Sequence, residues 1–572
     1  MRSPPCRAEP EYDAMTAHQP RKHRMPRALP PRPVRRRIGD LLRDEEGGLL
    51  ILSLQLFVVM MICTGVAIDF VRIEERRAVI QNTLDRASLA AASLSQDLDP
   101  ELVVQDYLEK AGLGALKVTT TVDEGNFDEW RRVTVTTKDN MPTIFGPLVG
   151  LESLSTAGRS QALESVGNVE ISLVLDISGS MSGTKISRLR NAASDFVETM
   201  FDTVQPEGAP AGRLSMSIIP YNQQVVLGDD FASLLNLSTD HTENTCADVE
   251  LLSDGDFQIS DTTPLLRTMH GDSYPNSGSL SNCVESSKAE VLAFSNSETA
   301  LKSKISGLSA GGNTSIDFGA RWGLALLDPA AQPILDAMIA NGTASSDLDG
   351  RPFAYDDGSQ DIDDIALKVM VLMTDGQNTS AYSTGADYRT GNAGVYSGYF
   401  VSTKSATAFA SSSNSAYWNY LYYYVPGKSA PYYSMKNKTW SSNLSGTIHP
   451  ITWQTVWDYN DKLYTIISTF LVPPIASWKG WGSSTAYNKI YDLMAIQSVS
   501  SDKDDALDAL CTAAKDQNIT IFTMAVDAPS SSIELLASCA TAETYAYDID
   551  TDQIDDAFAS IAAAVNALRL TN

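Results

Sequence analysis

The sequence predicts an α/β protein with a doubly wound parallel sheet, and two patterns support this prediction. Short segments rich in apolar residues, typical of buried strands, occupy residues 169–175, 214–219, 368–373 and 519–526. Apolar residues at helical spacing follow the first and the last of them, at Ile186, Leu189, Ala193, Phe196, Val197 and Met200 and at Ile554, Phe558, Ile561, Val565 and Leu568. Strands that alternate with helices in this way are typical of parallel sheets covered on both faces.

A polar pentapeptide, Asp176-Ile177-Ser178-Gly179-Ser180, directly follows the first apolar run. It places one carboxylate and two hydroxyl groups on a tight loop, and hard cations such as Mg²⁺ select oxygen ligands. Thr314 precedes a second run that we interpret as amphipathic (Ile316, Ala320, Gly323, Leu324 and Leu327), and Asp375 ends the third apolar run. Such loops converge at one edge of a parallel sheet, so we expect these side chains to meet there.

This arrangement resembles the von Willebrand factor type A domain and its metal-ion-dependent adhesion site. The resemblance implies that Ser178, Ser180 and Thr314 contact the metal directly. It also implies that Asp176 and Asp375 hold the metal through water. The ion would be Mg²⁺, or else Mn²⁺ or Ca²⁺, with one position open for a carboxylate of a protein partner. The alternative is a metal-free fold that keeps the loop for its turn geometry.

Residues 48–68 carry no charged side chain and predict a single membrane-spanning helix, which we assign to residues 47–70. At about 1.5 Å per residue this stretch reaches roughly 30 Å, enough to cross a hydrocarbon core. Arginines precede it at Arg32, Arg35, Arg36, Arg37 and Arg43. We therefore expect a disordered cytoplasmic tail at residues 1–46, a bacterial inner-membrane anchor and a periplasmic remainder. A cleavable signal peptide is less favoured, because Ala90-Ala91-Ala92 lies too far downstream.

Four cysteines lie beyond the anchor, and an even number suits an oxidising compartment. Pairing of nearest neighbours favours Cys246 with Cys283 and Cys511 with Cys539. Four cysteines allow three connectivities, and free buried thiols are a further alternative. The chain contains no Cys-x-x-Cys, so neither zinc binding nor thiol redox chemistry is indicated.

Residues 71–165 predict a helical stem and a small α+β domain. Apolar residues step by four and three along the stem, at Ile80, Leu84, Ala87, Ala91, Leu94 and Leu98, and we expect them to pack on the small domain. The small domain offers a helix at residues 100–110 and strands at residues 117–122 and 131–137.

A membrane helix that leads into a small helix-and-strand unit resembles the N-terminal region of Tad pilus-assembly proteins of the TadE/TadG type. The matching residues are Gly65-Val66-Ala67-Ile68-Asp69, Gln81, Asp85, residues 87–92 and 141–146 and, near the C-terminus, residues 510–511, 518–523, 538–540 and 568–570. The resemblance implies a pilin-like small domain and partners in a pilus or the cell envelope. Residues 49–53 lack the acid that prepilin peptidases require, so processing is not expected.

An aromatic-rich insertion interrupts the predicted type A domain (residues 166–572) at about residues 380–500. Fifteen of the 22 tyrosines and six of the eight tryptophans lie between Tyr382 and Tyr491. The segment leaves the sheet just after Asp375, so we expect it to emerge beside the predicted metal. It either frames that site and contributes partner specificity, or packs separately around an aromatic core of its own.

Two acidic clusters fit no EF-hand loop, and we interpret them as a solvated turn and a helix N-cap. They are Asp356, Asp357, Asp361, Asp363 and Asp364, and then Asp548, Asp550 and Asp552. Nucleic-acid binding is not expected, because the net charge is −27 and the sequence beyond the anchor has no basic stripe.

The predicted function is metal-dependent protein binding by an anchored protein that is not an enzyme. A metal-dependent hydrolase is disfavoured, because the exported part has only His241, His270 and His449 and lacks hydrolase and P-loop motifs. A structural scaffold whose metal only stabilises the fold is the second alternative, and homo-oligomerisation through the anchor and stem is compatible with both.

Overall fold

The computed structural model describes residues 46–93, 98–124, 130–165, 167–206, 209–249, 252–275, 281–355, 365–405 and 415–569. The basic tail and the acidic cluster at residues 356–364 lie outside the described residues. Two compact units are present: one contains described residues up to Val79 together with residues 138–157, and the other contains residues 80–137 and those from Gly158 onward.

The strands of the described residues form four sheets. They are β1 Val118–Glu124, β2 Trp130–Pro142, β3 Ser153–Ser165, β4 Asn168–Asp176, β5 Leu214–Tyr221, β6 Leu292–Ser295, β7 Ala366–Thr374, β8 Ala381–Thr384, β9 Tyr399–Ser402, β10 Leu421–Tyr424, β11 Tyr432–Ser434, β12 Trp440–Ser441, β13 His449–Pro450, β14 Ala495–Ser498, β15 Thr520–Val526 and β16 Ala546–Ile549.

The helices of the same residues follow in chain order. They are α1 Glu46–Ala92, α2 Pro100–Lys110, α3 Thr184–Val204, α4 Asp229–Ala232, α5 Glu298–Gly307, α6 Ile316–Ala325, α7 Gln332–Asn341, α8 Trp453–Tyr459, α9 Leu463–Thr465, α10 Val472–Lys479, α11 Ser483–Met494, α12 Ser500–Asp516, α13 Ser530–Cys539 and α14 Ile554–Arg569. A π-helical turn, Ile466–Leu471, joins α9 to α10.

Helix α1 runs without a break from the apolar stretch into the stem, as predicted. Its large apolar side chains between Leu49 and Met61 are 42–73% exposed. Among the described residues it is the one helix long and apolar enough to cross a membrane. Burial of these side chains in lipid would remove a large apolar surface from water.

The C-terminal part of α1 packs on α2 and β2. Buried residues of α1, α2, the loop after α2 and β2 form one core, made of Ile80, Leu84, Ala87, Ala91, Ala92, Val103, Val104, Leu108, Leu113, Val133 and Val135. The prediction for Leu98 was wrong, because this side chain lies outside the helix and is 61% exposed. The stem helix ends at Ala92, and Asp99 already caps the next helix, which Pro100 starts. Leu94 lies outside the described residues.

The large sheet has the strand order β16-β15-β7-β4-β5-β6. All neighbours pair in parallel except β5 and β6. Helices α3, α5 and α14 pack on one face, and α6, α7, α12 and α13 pack on the other. This is the predicted doubly wound sheet. The chain passes from β4 to β5 on one side and from β7 to β15 on the other, so a crevice forms at the carboxyl ends of β4 and β7.

Helix α6 differs from its prediction as an amphipathic helix. All ten residues of Ile316–Ala325 are buried, and Leu327 lies beyond the end of the helix. The segment between β5 and β6 covers the outer face: the ring of Phe231 lies 6.3 Å from that of Trp322. Because this segment gives the outer face of α6 an apolar contact, that face needs no polar side chains.

The inner face of α6 lies unusually close to the sheet. A Cβ atom on Gly319 would lie 2.5 Å from Tyr221 Cδ1, and one on Gly323 would lie 2.3 Å from Val174 Cγ2. Only glycine permits this approach. The close packing fixes the loop that carries Thr314 against the end of β4.

A buried ionic cluster holds β4 and β7 in register at the end of the strands remote from Asp176. Glu170 and Lys368 are paired directly across the two strands. Lys368 Nζ lies 2.5 Å and Arg351 Nη1 lies 3.1 Å from the Glu170 carboxylate, and all three side chains are at most 4% exposed. Since a slip of one residue would separate these buried charges, the cluster specifies the pairing.

Both disulfides pair as predicted, Cys246 with Cys283 and Cys511 with Cys539. Asp550 caps the short 3-10 turn that leads into α14, with Gln553 completing a capping box, so the N-cap interpretation is also confirmed.

The aromatic-rich insertion begins and ends at an antiparallel pair of short strands, β8 and β14, with Ala381 opposite Ser498. Its buried residues, joined by Met269 from the segment between β5 and β6, form a core distinct from those of the large sheet, and this core includes Phe400, Tyr423, Trp453, Trp457 and Phe470. The insertion therefore has a hydrophobic core of its own, as the second interpretation expects.

Replacing Glu170 by Gln should strongly destabilise the large sheet. It removes the anion and leaves Lys368 and Arg351 as buried cations, at an expected cost of about 3–5 kcal/mol. Asp555→Asn is the matched control, because Asp555 and its partner Arg188 are 53% and 37% exposed. That change should cost less than about 1 kcal/mol. Urea unfolding of the full chain in detergent measures both, and equal losses would contradict a register role for Glu170.

Candidate metal centre

Asp176 ends β4 and is fully buried. Its Oδ1 accepts a hydrogen bond from the Ser178 N–H at 2.7 Å, and its Oδ2 accepts one from Thr374 Oγ1 at 2.6 Å. Burial raises the pKa of Asp176 to about 6, although the hydrogen bonds from Ser178 and Thr374 act in the opposite direction. A cation beside this carboxyl group would favour its ionised form.

A chain of hydroxyl groups links the first loop to the end of β7. Ser178 Oγ lies 3.0 Å from Ser180 Oγ, and Ser180 Oγ donates to Asp375 Oδ1 at 2.6 Å. Ser178 and Asp375 are buried, whereas Ser180 is exposed. The predicted meeting of the first and third loops is therefore present at the carboxyl edge of neighbouring strands.

The loop that carries Thr314 joins the same edge through backbone hydrogen bonds. Gly179 N–H donates to the Gly312 carbonyl at 3.0 Å, and Gly311 N–H donates to the Ile177 carbonyl at 2.8 Å. A Cβ atom on Gly376 would lie 3.5 Å from Thr314 Oγ1 and 3.7 Å from Ser180 Oγ, so these two oxygens are at most about 7 Å apart. The structure thus brings all five predicted residues to one edge of the sheet.

Thr314 is held in turn by the segment that follows Asp375. Thr379 Oγ1 accepts from the Thr314 N–H at 3.2 Å, and Thr379 N–H donates to the Thr314 carbonyl at 2.9 Å. Strand β8 begins two residues later, so the insertion starts beside this loop.

The chemistry of this set of donors fits a hard divalent cation. The five side chains offer two carboxylates and three hydroxyl groups, all of them oxygen ligands. No group of three or more His, Cys, Asp or Glu side chains that could hold a metal occurs in the described part of the chain. A metal at this edge would therefore depend on the hydroxyl groups of Ser178, Ser180 and Thr314 in addition to the two aspartates.

Two further residues, whose roles the sequence pattern does not reveal, shape the site. Thr374 bonds Asp176, as described above. Lys185, in the first turn of α3, places Nζ 2.8 Å from Asp375 Oδ2 and 3.8 Å from Asp527 Oδ2. In the sequence, only its position five residues after Ser180 connects Lys185 with the site. That position is a weak indication, because a lysine at the start of a helix more often faces solvent.

The match to a known family lies in helix α1 and the residues just after it. Residues 47–94 match the family model described as "Putative Flp pilus-assembly TadE/G-like". This segment is TadE/G-like. It contains Asp69, Gln81 and Asp85, on which the resemblance was based.

Solved structures of pilus proteins are similar to the chain at low identity. They include the von Willebrand factor domain of the type V pili tip protein Mfa5 from Porphyromonas gingivalis (12% identity, TM-score 0.28, 70% of this chain and 96% of that chain). They also include the pilus adhesin SpaC from Lactobacillus rhamnosus GG (11%, TM-score 0.28, 79% and 34%) and a three-domain form of Mfa5 (13%, TM-score 0.26, 78% and 55%). Curated proteins gave no match.

Ser180→Ala should weaken Mg²⁺ binding by about tenfold or more, because it removes an oxygen that the ion would contact. Ser182→Ala is the matched control, since Ser182 is an exposed serine of the same loop that bonds the Gly179 carbonyl at 2.8 Å. Isothermal titration calorimetry of the full chain in detergent measures both affinities. Identical affinities for the two variants would contradict the predicted ligand set.

Lys185→Met should strengthen Mg²⁺ binding several-fold. The substitution removes a positive charge that contacts Asp375 and would repel the ion. Lys288→Met, at an exposed position, is the control. A weaker affinity in the Lys185 variant, measured by the same titration, would show instead that the amine holds Asp375 in place for the metal.

Proposed function

We propose that this protein is a membrane-anchored component of a Tad-type pilus assembly or cell-envelope machine that binds a protein partner through a divalent cation. The observation that carries the proposal is the meeting of Asp176, Ser178, Ser180, Thr314 and Asp375 at the carboxyl edge of one sheet. The TadE/G-like match of residues 47–94 supports the association with a pilus.

The physical basis is an incompletely neutralised ion. Three neutral hydroxyl groups would contact Mg²⁺ directly, while the two aspartates would act through water. The metal would then keep affinity for an additional anionic oxygen at its open position, which a carboxylate of a partner supplies. The exposure of Ser180 gives such a partner access to this edge.

The proposed topology places the N-terminus in the cytoplasm and the large sheet in the periplasm of a bacterial inner membrane. The arginines before α1 favour this orientation. The two disulfides favour an oxidising compartment for the domain that contains them.

A scaffold whose metal only stabilises the fold is the second candidate. The meeting of three loops that are distant in sequence favours the scaffold. An ion bound at their junction would hold them together and so stabilise the folded state. In that case Mg²⁺ would raise the melting temperature without changing partner capture.

Cross-linking and pull-down from cells that contain the pilus apparatus test the proposal. Partner capture should occur in Mg²⁺ and be lost in chelator. Asp176→Ala should abolish the metal-dependent capture, and Ser180→Ala, at an exposed position, should weaken it, whereas Ser182→Ala should behave as the wild type. Full capture by the first two variants in chelator would contradict the mechanism, and a metal-dependent melting temperature with unchanged capture would favour the scaffold.

A further inference from the structure

A short apolar loop lies beside the membrane helix within the first compact unit. We call residues 142–151 the apolar loop. The sequence from Met141 to Leu151 carries no charged side chain. Ile144, Leu148, Val149 and Leu151 are 60%, 65%, 49% and 42% exposed. Four large, exposed apolar side chains within ten residues form a surface of the kind that marks a protein or membrane interaction site.

A buried carboxylate attaches this loop to the end of the apolar span of α1. Asp69 is 2% exposed and accepts hydrogen bonds from the N–H groups of Ile144, Phe145 and Gly146 at 2.9, 2.7 and 2.9 Å. Asp69 is also the first charged residue after the uncharged stretch of residues 48–68. The apolar loop is therefore held at the point where the span ends.

Phe145 extends from this attachment toward the centre of the span. A Cβ atom on Gly65 would lie 2.7 Å from Phe145 Cγ, so the aromatic ring lies directly on the helix backbone. Gly65 precedes Asp69 by four residues, which corresponds to about 6 Å along the helix axis. The ring thus lies alongside residues assigned to the membrane.

The loop keeps its own shape through internal contacts. Leu151 N–H donates to the Gly146 carbonyl at 2.9 Å, and Thr143 Oγ1 donates to the Leu151 carbonyl at 2.5 Å. A Cβ atom on Gly146 would lie 2.2 Å from the Leu151 carbonyl oxygen, so the turn requires glycine. The exposed side chains are consequently presented on a defined turn.

We propose that the apolar loop inserts its side chains into the membrane interface beside α1. The proposal rests on the proposed membrane anchoring of α1. Lipid would cover the exposed side chains of the apolar loop, because their surface is continuous with the apolar span of α1. Three arginines follow on the next turns of α1, and in a membrane at this depth they would lie near the lipid phosphates. Each also contacts an acidic side chain: Arg72 contacts Asp69 at 3.5 Å, Arg76 contacts Asp139 at 3.2 Å and Arg77 contacts Glu74 at 3.8 Å.

A second contact with the bilayer would restrain the anchor. A single helix is free to tilt and to change depth at a small energetic cost. A rigid loop bonded to Asp69 would oppose both movements, so the helix would leave the membrane at a fixed depth.

Fluorescence quenching of the full chain in phosphatidylcholine–phosphatidylglycerol vesicles tests the proposal. Single cysteines are introduced by Leu148→Cys or Val149→Cys after Cys6→Ser and Cys63→Ser, and labelled with nitrobenzoxadiazole; the other four cysteines are disulfide-bonded. Leu56→Cys reports on the span, and Ser155→Cys, an exposed position of the same unit, reports on water. Quenchers are a lipid with a spin label high on its acyl chain and aqueous iodide.

The two loop probes should be quenched by the spin-labelled lipid, and iodide should quench them several-fold less than the Ser155 probe. Iodide quenching equal to that at Ser155, with the Leu56 probe quenched by lipid, would overturn the proposal while leaving the anchor intact. Protection of the loop probes from both quenchers would also overturn it and would indicate a protein partner or a second copy of the chain. Failure of lipid to quench the Leu56 probe would instead contradict the anchor, and with it the basis of the proposal.

Discussion

The pairing of β4 with β7 in one register is the constraint on which the candidate metal centre depends. The Glu170–Lys368–Arg351 cluster specifies the pairing at the amino ends of the two strands. At their carboxyl ends, the hydrogen bond from Thr374 to Asp176 depends on the same pairing. Because side chains alternate between the two faces of a strand, a slip of one residue would turn these groups to the wrong side. A buried ionic cluster at the amino end thus determines which oxygens meet at the carboxyl end.

The other components of the site approach this pair from outside the sheet. Helix α6 lies against β4 and β5 through Gly319 and Gly323, which positions the loop of Thr314. The segment after Asp375 bonds the same loop through Thr379 before it enters the insertion. The charge of Asp375 is balanced in part by Lys185. Hydrogen bonds and one ion pair therefore organise this edge. A divalent cation bound there would replace the direct hydrogen bonds between the serine hydroxyl groups and Asp375.

Much of this arrangement could be predicted from the sequence, because it depends on local pattern and on topology. The apolar runs gave the parallel strands, and polar residues just after two strands predicted where the ligands would meet. Contacts supplied by distant segments could not be predicted. Helix α6 is buried all round only because the segment with Phe231 covers it, and Lys185 differs from a solvated lysine only through its distance to Asp375. Leu98 continued the apolar spacing of the stem, yet the stem helix ends at Ala92 and Leu98 directly precedes the N-cap of the next helix, Asp99. Strand β3 carried no apolar alternation strong enough to be recognised.

Electron paramagnetic resonance of the full chain titrated with Mn²⁺, a substitute for Mg²⁺, tests the central claim most directly. We expect one tightly bound ion per chain, with a spectrum that shows oxygen ligands alone and that is lost on chelation. Absence of a bound ion, or hyperfine coupling to directly bound nitrogen, would contradict a site made of two carboxylates and three hydroxyl groups.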